Sequence, residues 1–414
     1  MDLRTFKHYQ NVISRQGVFA LLDQAVLVLV GLFVFLNPFP HTTSAKELCF
    51  YLTLAILIFL IIRKKIVFSL RSPLTVPFVL YILWAGASIF WAIDTQNSMH
   101  DFYAHLVKYI VLYYVIINVF NSEKRLTILT WIVIISTFIF ALKGMIHFYL
   151  LMGNPLAERL IPAERAPINS SAILNLFAAF LSLYFLTREK RWPGRILLSL
   201  SFAGTFMATL LSFSRAALIA LVVSAGVLFV SHSGRKIRII ASIVILSLAA
   251  GSLYIFSPHL KRLQPEELSK DLRIGIYYTC VEIFKDYPIA GVGFGMETFE
   301  KHMWDKYNPK IPLELRMSDP ASSPHGFFFD IMVRLGLVGL ILFGFIILRT
   351  VQISRSILIR REKHIRRWGA YLLASFTGML VAGFFGSILH GAAAYNFYIL
   401  LAMITILSRS AQDA

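Results

Sequence analysis

Long apolar runs dominate the pattern of hydrophobic and polar positions in this chain, and short polar segments separate them. Most runs are about 18 to 22 residues long, which is the length that an α-helix needs to cross the hydrocarbon core of a bilayer. They lack the apolar–polar alternation of barrel strands. The pattern therefore predicts an all-α bundle with about twelve transmembrane helices. The predicted spans are residues 18–36, 47–62, 74–93, 102–120, 126–151, 170–187, 195–211, 215–231, 238–256, 326–348, 369–388 and 391–408.

One polar stretch is much longer than the other breaks. Residues 257–324, between the ninth and tenth predicted spans, form a large loop that we expect to be folded and to lie on the membrane surface. An amphipathic helix is predicted over about 265–286, and Pro288 with the glycine-rich run 291–295 ends it. A second short helix is predicted over 296–307. The chain thus divides into residues 1–256 with spans 1 to 9, the loop 257–324, and residues 325–414 with spans 10 to 12.

The composition agrees with membrane insertion, because 57% of the 414 residues are hydrophobic, 15% are charged and the mean hydropathy is +0.69. A net charge of +18 would suggest nucleic acid as the partner of a soluble protein, but here its placement matters more. Lys and Arg concentrate in every second connection between spans. The positive-inside rule then predicts that both termini are cytoplasmic and that the loop 257–324 lies on the other side.

The N-terminal end needs no cleavable signal, because its basic start runs directly into a full-length span. The two cysteines, Cys49 and Cys280, have no spacing for a disulfide framework or a metal site. We expect both to be packing residues.

Arg215 is the first candidate for chemistry. It follows Ser214, a natural N-cap, in the tight turn between the seventh and eighth predicted spans. A cation in the first helical turn is unfavourable beside the positive end of the helix dipole, unless an anion is bound there. The alternative is an arginine whose guanidinium reaches up to lipid headgroups.

Arg273 is the second candidate, because helical spacing places it on the apolar face of the loop helix. That predicted face also carries Tyr277, Cys280, Val281 and Phe284. A solvated arginine would normally lie on the opposite face. We therefore predict that the guanidinium points toward the spans, where a diphosphate would match its donors. A simple surface charge is the alternative.

His325 is the third candidate, at the start of the tenth span. Ser323 as the cap, Pro324 at the first helical position and then His325 make a consistent helix start. A helix start with arginines nearby disfavours the imidazolium, so the side chain would be a neutral base able to activate a hydroxyl. A structural histidine is the alternative. Three other histidines are weaker candidates: His147, His302 and His390.

Other chemistry has less support in the sequence. The glycine-rich run 291–295 follows no strand, so we interpret it as a helix-breaking turn rather than a nucleotide-binding loop. No His, Cys, Asp or Glu group has the spacing of metal ligands, and neither a metal nor a cofactor is expected. Cations inside predicted spans are functional candidates by default, although some can pair or reach the headgroups: Lys108, Lys143 and Arg334.

Taken together, these motifs resemble the O-antigen ligase and O-antigen polymerase superfamily of bacterial membrane glycosyltransferases. The resemblance rests on Ser212–Arg215, on Arg273 with Ile276-Tyr277, on Asp286–Pro288, on Gly291–Gly295, on His325, and on Leu335–Leu340. Arg165 and Asn169 look like the family's Arg…Asn pair before the sixth span. Two positions depart from the family pattern, since Gly326 stands where Asn is usual and Arg334 where Glu is usual.

The resemblance implies a GT-C-like membrane enzyme at the bacterial inner membrane with a periplasmic active site. Its donor would be an undecaprenyl-diphosphate-linked O-antigen, and in ligases the acceptor is a sugar of the lipid A–core oligosaccharide. Such enzymes need no metal and invert the anomeric centre. His325 would then be the general base, while Arg215 and Arg273 hold the diphosphate. Arg165 and Asn169 would be weaker substrate-binding residues.

Several readings stay open on the sequence alone. A polymerase or a protein O-oligosaccharyltransferase of the same superfamily would share these motifs, although a ligase is favoured by the length and the loop. A twelve-span transporter or lipid flippase is the alternative from another class, and it would usually show broken helices in matched halves. Membrane lipids are expected partners, nucleic acid is not, and the oligomeric state is open.

Overall fold

The computed structural model describes residues 3–163, 168–231, 272–296, 300, 302–317, 323–386 and 388–410. These residues form helices and connecting turns, without a β-strand among them. The α-helices are α1 (Leu3–Leu36), α2 (Thr43–Ile62), α3 (Thr75–Ala87), α4 (Thr95–Asp101), α5 (Lys108–Val119), α6 (Glu123–Met145), α7 (Ile168–Leu186), α8 (Trp192–Leu211), α9 (Arg215–Ser231), α10 (Leu272–Asp286), α11 (His302–Tyr307), α12 (Phe327–Leu358), α13 (Lys363–Gly383) and α14 (Gly391–Ser410).

Eight helical stretches in the described part of the chain are long and apolar enough to cross a membrane. They are Gly17–Leu36, Thr43–Ile62, Thr95–Val119, Glu123–Leu151, Ile168–Leu186, Trp192–Leu211, Phe327–Leu358 and Gly391–Ser410. Two shorter apolar helices, Thr75–Trp91 and Arg215–Ser231, match the third and eighth predicted spans. A multi-pass helical membrane protein is thus confirmed. Most boundaries agree with the predicted spans to within a few residues, but Thr95–Val119 begins seven residues before the predicted 102–120 and Phe327–Leu358 ends ten residues after the predicted 326–348.

The structure does not account for all twelve predicted spans within its described residues. The ninth predicted span, 238–256, lies outside the described residues. The eleventh coincides with α13, but that helix begins with a basic segment and is not among the eight apolar stretches. The prediction of twelve therefore stays a prediction.

The helices differ in how deeply they lie in the bundle. In α14, 89% of the apolar window is buried inside the protein, against 28% for α2 and α8. A helix that is apolar on all sides is suited to the centre of a bundle. α14 forms that centre, and α2 and α8 leave apolar side chains facing outward, where lipid would cover them.

The helix α12 is broken at Gly336, which has a φ of 65° and a ψ of −160°. Backbone groups freed by such a break must find other partners, because a bilayer core offers no water. The loop segment 288–293 supplies most of them. Its hydrogen bonds to α12 are Val292 N to Val333 O (2.9 Å), Gly293 N to Arg334 O (3.0 Å) and Leu337 N to Pro288 O (2.9 Å), while Trp84 Nε1 donates to Leu335 O (3.0 Å).

The close packing of this segment explains why the run 291–295 is rich in glycine. A Cβ at Gly291 would come within 2.5 Å of the Arg334 backbone, and one at Gly293 would overlap Ala92. The run does end α10, as predicted, but residues 291–295 are buried. The expectation that the whole loop lies on the membrane surface was therefore wrong for this segment, because close backbone packing draws it between α3, α4 and α12.

Both predicted loop helices are represented among the described residues. The helix α10 begins at Leu272, and residues 265–271 of the predicted helix lie outside the described residues. The helix α11 covers His302–Tyr307 of the predicted 296–307, and residues 297–299 and 301 lie outside the described residues. Asp286, at the end of α10, accepts hydrogen bonds from Tyr307 Oη (2.7 Å) and Lys310 Nζ (3.2 Å). These bonds favour the carboxylate and lower the pKa of Asp286.

Candidate functional site

Arg215 opens α9 directly after a tight turn. Phe213 in that turn has a φ of 44°, and the buried Ser214 Oγ accepts the backbone N–H of Ala217 at 3.3 Å. The predicted N-cap is confirmed. Arg215 is exposed, and it lies at the positive end of the helix dipole.

Two residues tie this turn to the start of α7. Ser214 Oγ donates to Asn169 Oδ1 at 2.8 Å, and Arg159 Nε donates to the carbonyl oxygen of Ser212 at 2.8 Å. Arg159 Nη2 also reaches Asn169 Oδ1 at 3.5 Å. The structure thus gives Asn169 a clear position beside Arg215, whereas Arg165 lies outside the described residues.

Arg159 was missed as a site residue by the sequence reasoning. The signal was available, because Arg159 is one of the few basic residues in a short connection on the side predicted to face away from the cytoplasm. Only the fold shows that its guanidinium spans the turn before Arg215.

His325 lies before α12 and not inside its first turn. The helix begins at Phe327 with Gly326 as the N-cap, and His325 has a φ of 54°. The predicted start with Pro324 at the first helical position was therefore wrong by three residues. A left-handed conformation is uncommon for a non-glycine residue, although His adopts it more readily than most, and it indicates that the surroundings hold the residue there.

Gly326, the next residue, lies close to the turn after α13. A Cβ on Gly326 would lie 2.5 Å from the carbonyl oxygen of Phe384, just after α13. Glycine permits that close approach, so the usual family Asn does not fit here without movement. The turn after α13 also reaches Asn169, whose Cβ lies 3.3 Å from a Cβ built on Gly386. The starts of α7, α9 and α12 therefore meet at one end of the bundle, which we call the upper end.

Arg273 is half-buried in the first turn of α10. One turn further along, the Tyr277 ring stacks on Phe329 with centroids 4.3 Å apart and an interplanar angle of 13°. Phe329 is one turn after His325, so α10 packs onto the start of α12. The predicted apolar face is confirmed for Cys280, which is fully buried, but not for Val281, which is 39% exposed because the buried face turns toward α12.

The structure therefore brings to the upper end the three elements that carry the candidates Arg215, Arg273 and His325. A ligand shared by the three side chains stays a prediction. Both cysteines are free and buried, as expected for packing residues. Within the described ranges, no group of three His, Cys, Asp or Glu side chains is placed to hold a metal ion.

A second polar cluster lies beside these elements inside the bundle. Asp330 and Arg334 are only 3% and 5% exposed, and the Nη1–Oδ2 distance between them is 3.3 Å. His390 Nε2 lies 2.9 Å from the same carboxylate oxygen. On the neighbouring helix, Asp101 Oδ1 lies 3.7 Å from His105 Nε2. We name the trio Asp330, Arg334 and His390 the buried triad.

The sequence analysis identified the intramembrane cations but not all of their partners. Arg334 was singled out as a cation that pairs or reaches the headgroups, and it pairs. Its acid, Asp330, was missed, although an i, i+4 acid–base spacing in a span was the signal. Lys108 pairs with Glu47 and is 8% exposed, and Lys143 is exposed at the side of the bundle.

These features define a multi-pass helical membrane protein with polar helix starts gathered at one end. Residues 200–344 match a family model described as O-antigen ligase. The matched range contains Arg215, Arg273 and His325, and it confirms the resemblance noted from the motifs. The similarity to the O-antigen ligase family covers this part of the chain. No curated protein matches the chain.

Proposed function

We propose that this protein is an O-antigen ligase. It transfers a glycan from undecaprenyl diphosphate to a sugar of the lipid A–core oligosaccharide on the periplasmic face of the bacterial inner membrane. The observation that carries the proposal is the meeting of the starts of α9 and α12 at the upper end, through Asn169 and the turn after α13. These helix starts bear Arg215 and His325, and the family match spans both.

Arg215 and Arg273 hold the diphosphate of the donor. Arg215 is exposed beside the free N–H groups of a helix start, a setting that favours a bound anion. Arg273 is half-buried on a helix that packs against the start of α12. Guanidinium groups form paired hydrogen bonds to phosphate oxygens and stabilise the negative charge that grows on the leaving group.

His325 acts as the general base for the acceptor hydroxyl. As the acceptor oxygen attacks the anomeric carbon opposite the diphosphate, its proton passes to the imidazole and the bond from that carbon to the phosphate oxygen breaks. The products are the glycosylated core, with the anomeric centre inverted, and undecaprenyl diphosphate. Asn169 and Arg165 would support the donor side of the site.

Lipopolysaccharide from a deletion strain tests this proposal on a gel. A ligase deletion leaves bare core, a polymerase deletion leaves core with one repeat unit, and loss of a protein O-oligosaccharyltransferase leaves the ladder unchanged. We expect bare core, and the full ladder should return when the wild-type chain is supplied. A single-repeat band or an unchanged ladder would contradict the ligase assignment.

The role of His325 is tested in the same strain. We expect His325→Ala to reduce transfer by about 10²- to 10⁴-fold, the usual contribution of a general base, at normal membrane levels. His147→Ala is the matched control, because His147 is an exposed histidine on α6's continuation. Wild-type transfer by His325→Ala would remove the histidine from the mechanism.

A further inference from the structure

A small cavity lies against the buried triad, deeper in the bundle than His325. Arg334 and His390 line it together with His105, Tyr81, Tyr109 and Tyr398. It leaves about 20 Å³ for the centre of a water-sized sphere. One water molecule needs about 10–15 Å³ and two to four polar partners, so the cavity fits a single water.

Two buried polar atoms of the lining residues have no hydrogen-bond partner within the described part of the protein. They are Arg334 Nε and His390 Nδ1. Their other atoms are engaged, since Arg334 Nη1 and His390 Nε2 both bond Asp330, and Arg334 Nη2 donates to the carbonyl oxygen of Phe294. Leaving a buried polar group unpaired costs about 1–3 kcal/mol, and a charged one costs more.

We propose that this cavity is a binding site for one structural water, which bridges Arg334 Nε and His390 Nδ1. The bridge closes a ring of hydrogen bonds: Arg334 Nε–H donates to the water, the water donates to His390 Nδ1, His390 Nε2–H donates to Asp330, and Arg334 Nη1–H donates to Asp330. Arg334 Nε and His390 Nδ1 then both have a hydrogen-bond partner. His390 is fixed as the neutral tautomer that carries its proton on Nε2.

The ring joins three parts of the protein at the upper end. Asp330 and Arg334 belong to the first turns of α12, His390 immediately precedes α14, and Arg334 Nη2 connects the ring to the carbonyl of Phe294 in the glycine-rich run 291–295. The water therefore helps to fasten the start of α12 and the loop to the centre of the bundle. This inference stands independently of the proposed enzymatic activity, because it concerns a site inside the fold.

Nuclear magnetic resonance on the full chain with ¹⁵N-labelled histidine in lipid nanodiscs tests the site. At neutral pH the His390 signals, assigned by their loss in His390→Phe, should show the Nε2–H tautomer and a cross-peak from the ring to a bound water. A proton on Nδ1, a doubly protonated ring, or no contact with water would overturn the proposal. His147→Phe is the control, since it should remove a different signal and leave the water contact intact.

Arg334→Lys separates the water from the charge pair. Lysine keeps a cation that can reach Asp330, but its three N–H donors all lie on Nζ at the end of the side chain, so none remains at the position of Arg334 Nε. We expect this variant to lose the His390 water cross-peak while His390 keeps its proton on Nε2. An unchanged cross-peak in a folded Arg334→Lys protein would show that the water is not held by Arg334, and the ring would be wrong.

Discussion

The upper end of the bundle holds two polar groupings, one with an exposed arginine and one with a buried arginine. Arg215 is exposed at a helix start, and the hydrogen bonds of its turn are made by its neighbours Ser214, Asn169 and Arg159. Arg334 is 5% exposed, and its guanidinium bonds Asp330 and a loop carbonyl. The first arrangement keeps a cation accessible to a ligand, while the second uses a cation to hold the fold. Burial and partners thus separate a binding arginine from a structural one.

The largest expected effect comes from breaking the buried arrangement. Arg334→Ala should destabilise the protein by about 3–5 kcal/mol, because it leaves the Asp330 carboxylate buried without its main counter-charge. Membrane levels and the thermal unfolding midpoint of purified protein measure this. Asp330→Ala combined with Arg334→Ala should recover part of the loss, since neither charge is then unpaired. A double variant that is as unstable as the sum of the singles would argue against a direct pair.

Arg215→Ala should act on activity instead. We expect transfer to fall by about 10²- to 10³-fold, as for the loss of one charge-stabilising donor at a reacting group, while the unfolding midpoint stays near that of wild type. Quantified glycan transfer and thermal unfolding of the same preparation make the comparison. Arg195→Ala, an exposed arginine on α8, is the matched control. Equal losses of stability from Arg215→Ala and Arg334→Ala would erase the distinction between the two groupings.

Ser214→Ala tests whether the hydrogen bond from Ser214 to Asn169, called the tether here, positions Arg215. It removes the N-cap of α9 and the hydrogen bond to Asn169, so we expect a stability loss of about 1 kcal/mol. Transfer should fall more than this loss explains, because small displacements of a positioned group are costly to catalysis. Ser214→Thr keeps the hydroxyl and should restore most of both. Full activity in Ser214→Ala would show that the tether does not position Arg215.

The smallest effect is expected at Asp286, an exposed residue at the end of α10. Hydrogen bonds from Tyr307 and Lys310 lower the pKa of this carboxyl, so its contribution is present above the unfolded pKa of about 3.9 and is lost as the pH falls through the folded value. Protection of the α10–α11 region from proteases should therefore weaken in acid. Asp286→Asn should be slightly less protected at pH 7 and should lose part of that acid sensitivity. If the variant responds to acid as the wild type does, the acid sensitivity of this region arises from other groups.

The sequence predicted what local pattern controls. Lengths of apolar runs determine the spans, and the Ser214 cap depends on neighbours three residues away. His325 was misplaced because α12 begins after Gly326, which packs against the carbonyl of Phe384, 58 residues further along the chain. The partners Asp330 and His390 are 60 residues apart, and nothing local links them. Contacts of this kind set the details of the candidate site, and periodicity carries no information about them.

The pairing of segment 288–293 with the broken helix α12 bears on how such proteins diversify. A loop that only covered a membrane domain could be exchanged between relatives as a cassette. Here the loop completes the backbone hydrogen bonding at Gly336, so a chimera that transplants the loop without α12 leaves amide and carbonyl groups bare in lipid. Donor and acceptor preferences should therefore be inherited or engineered as a unit of loop plus helix.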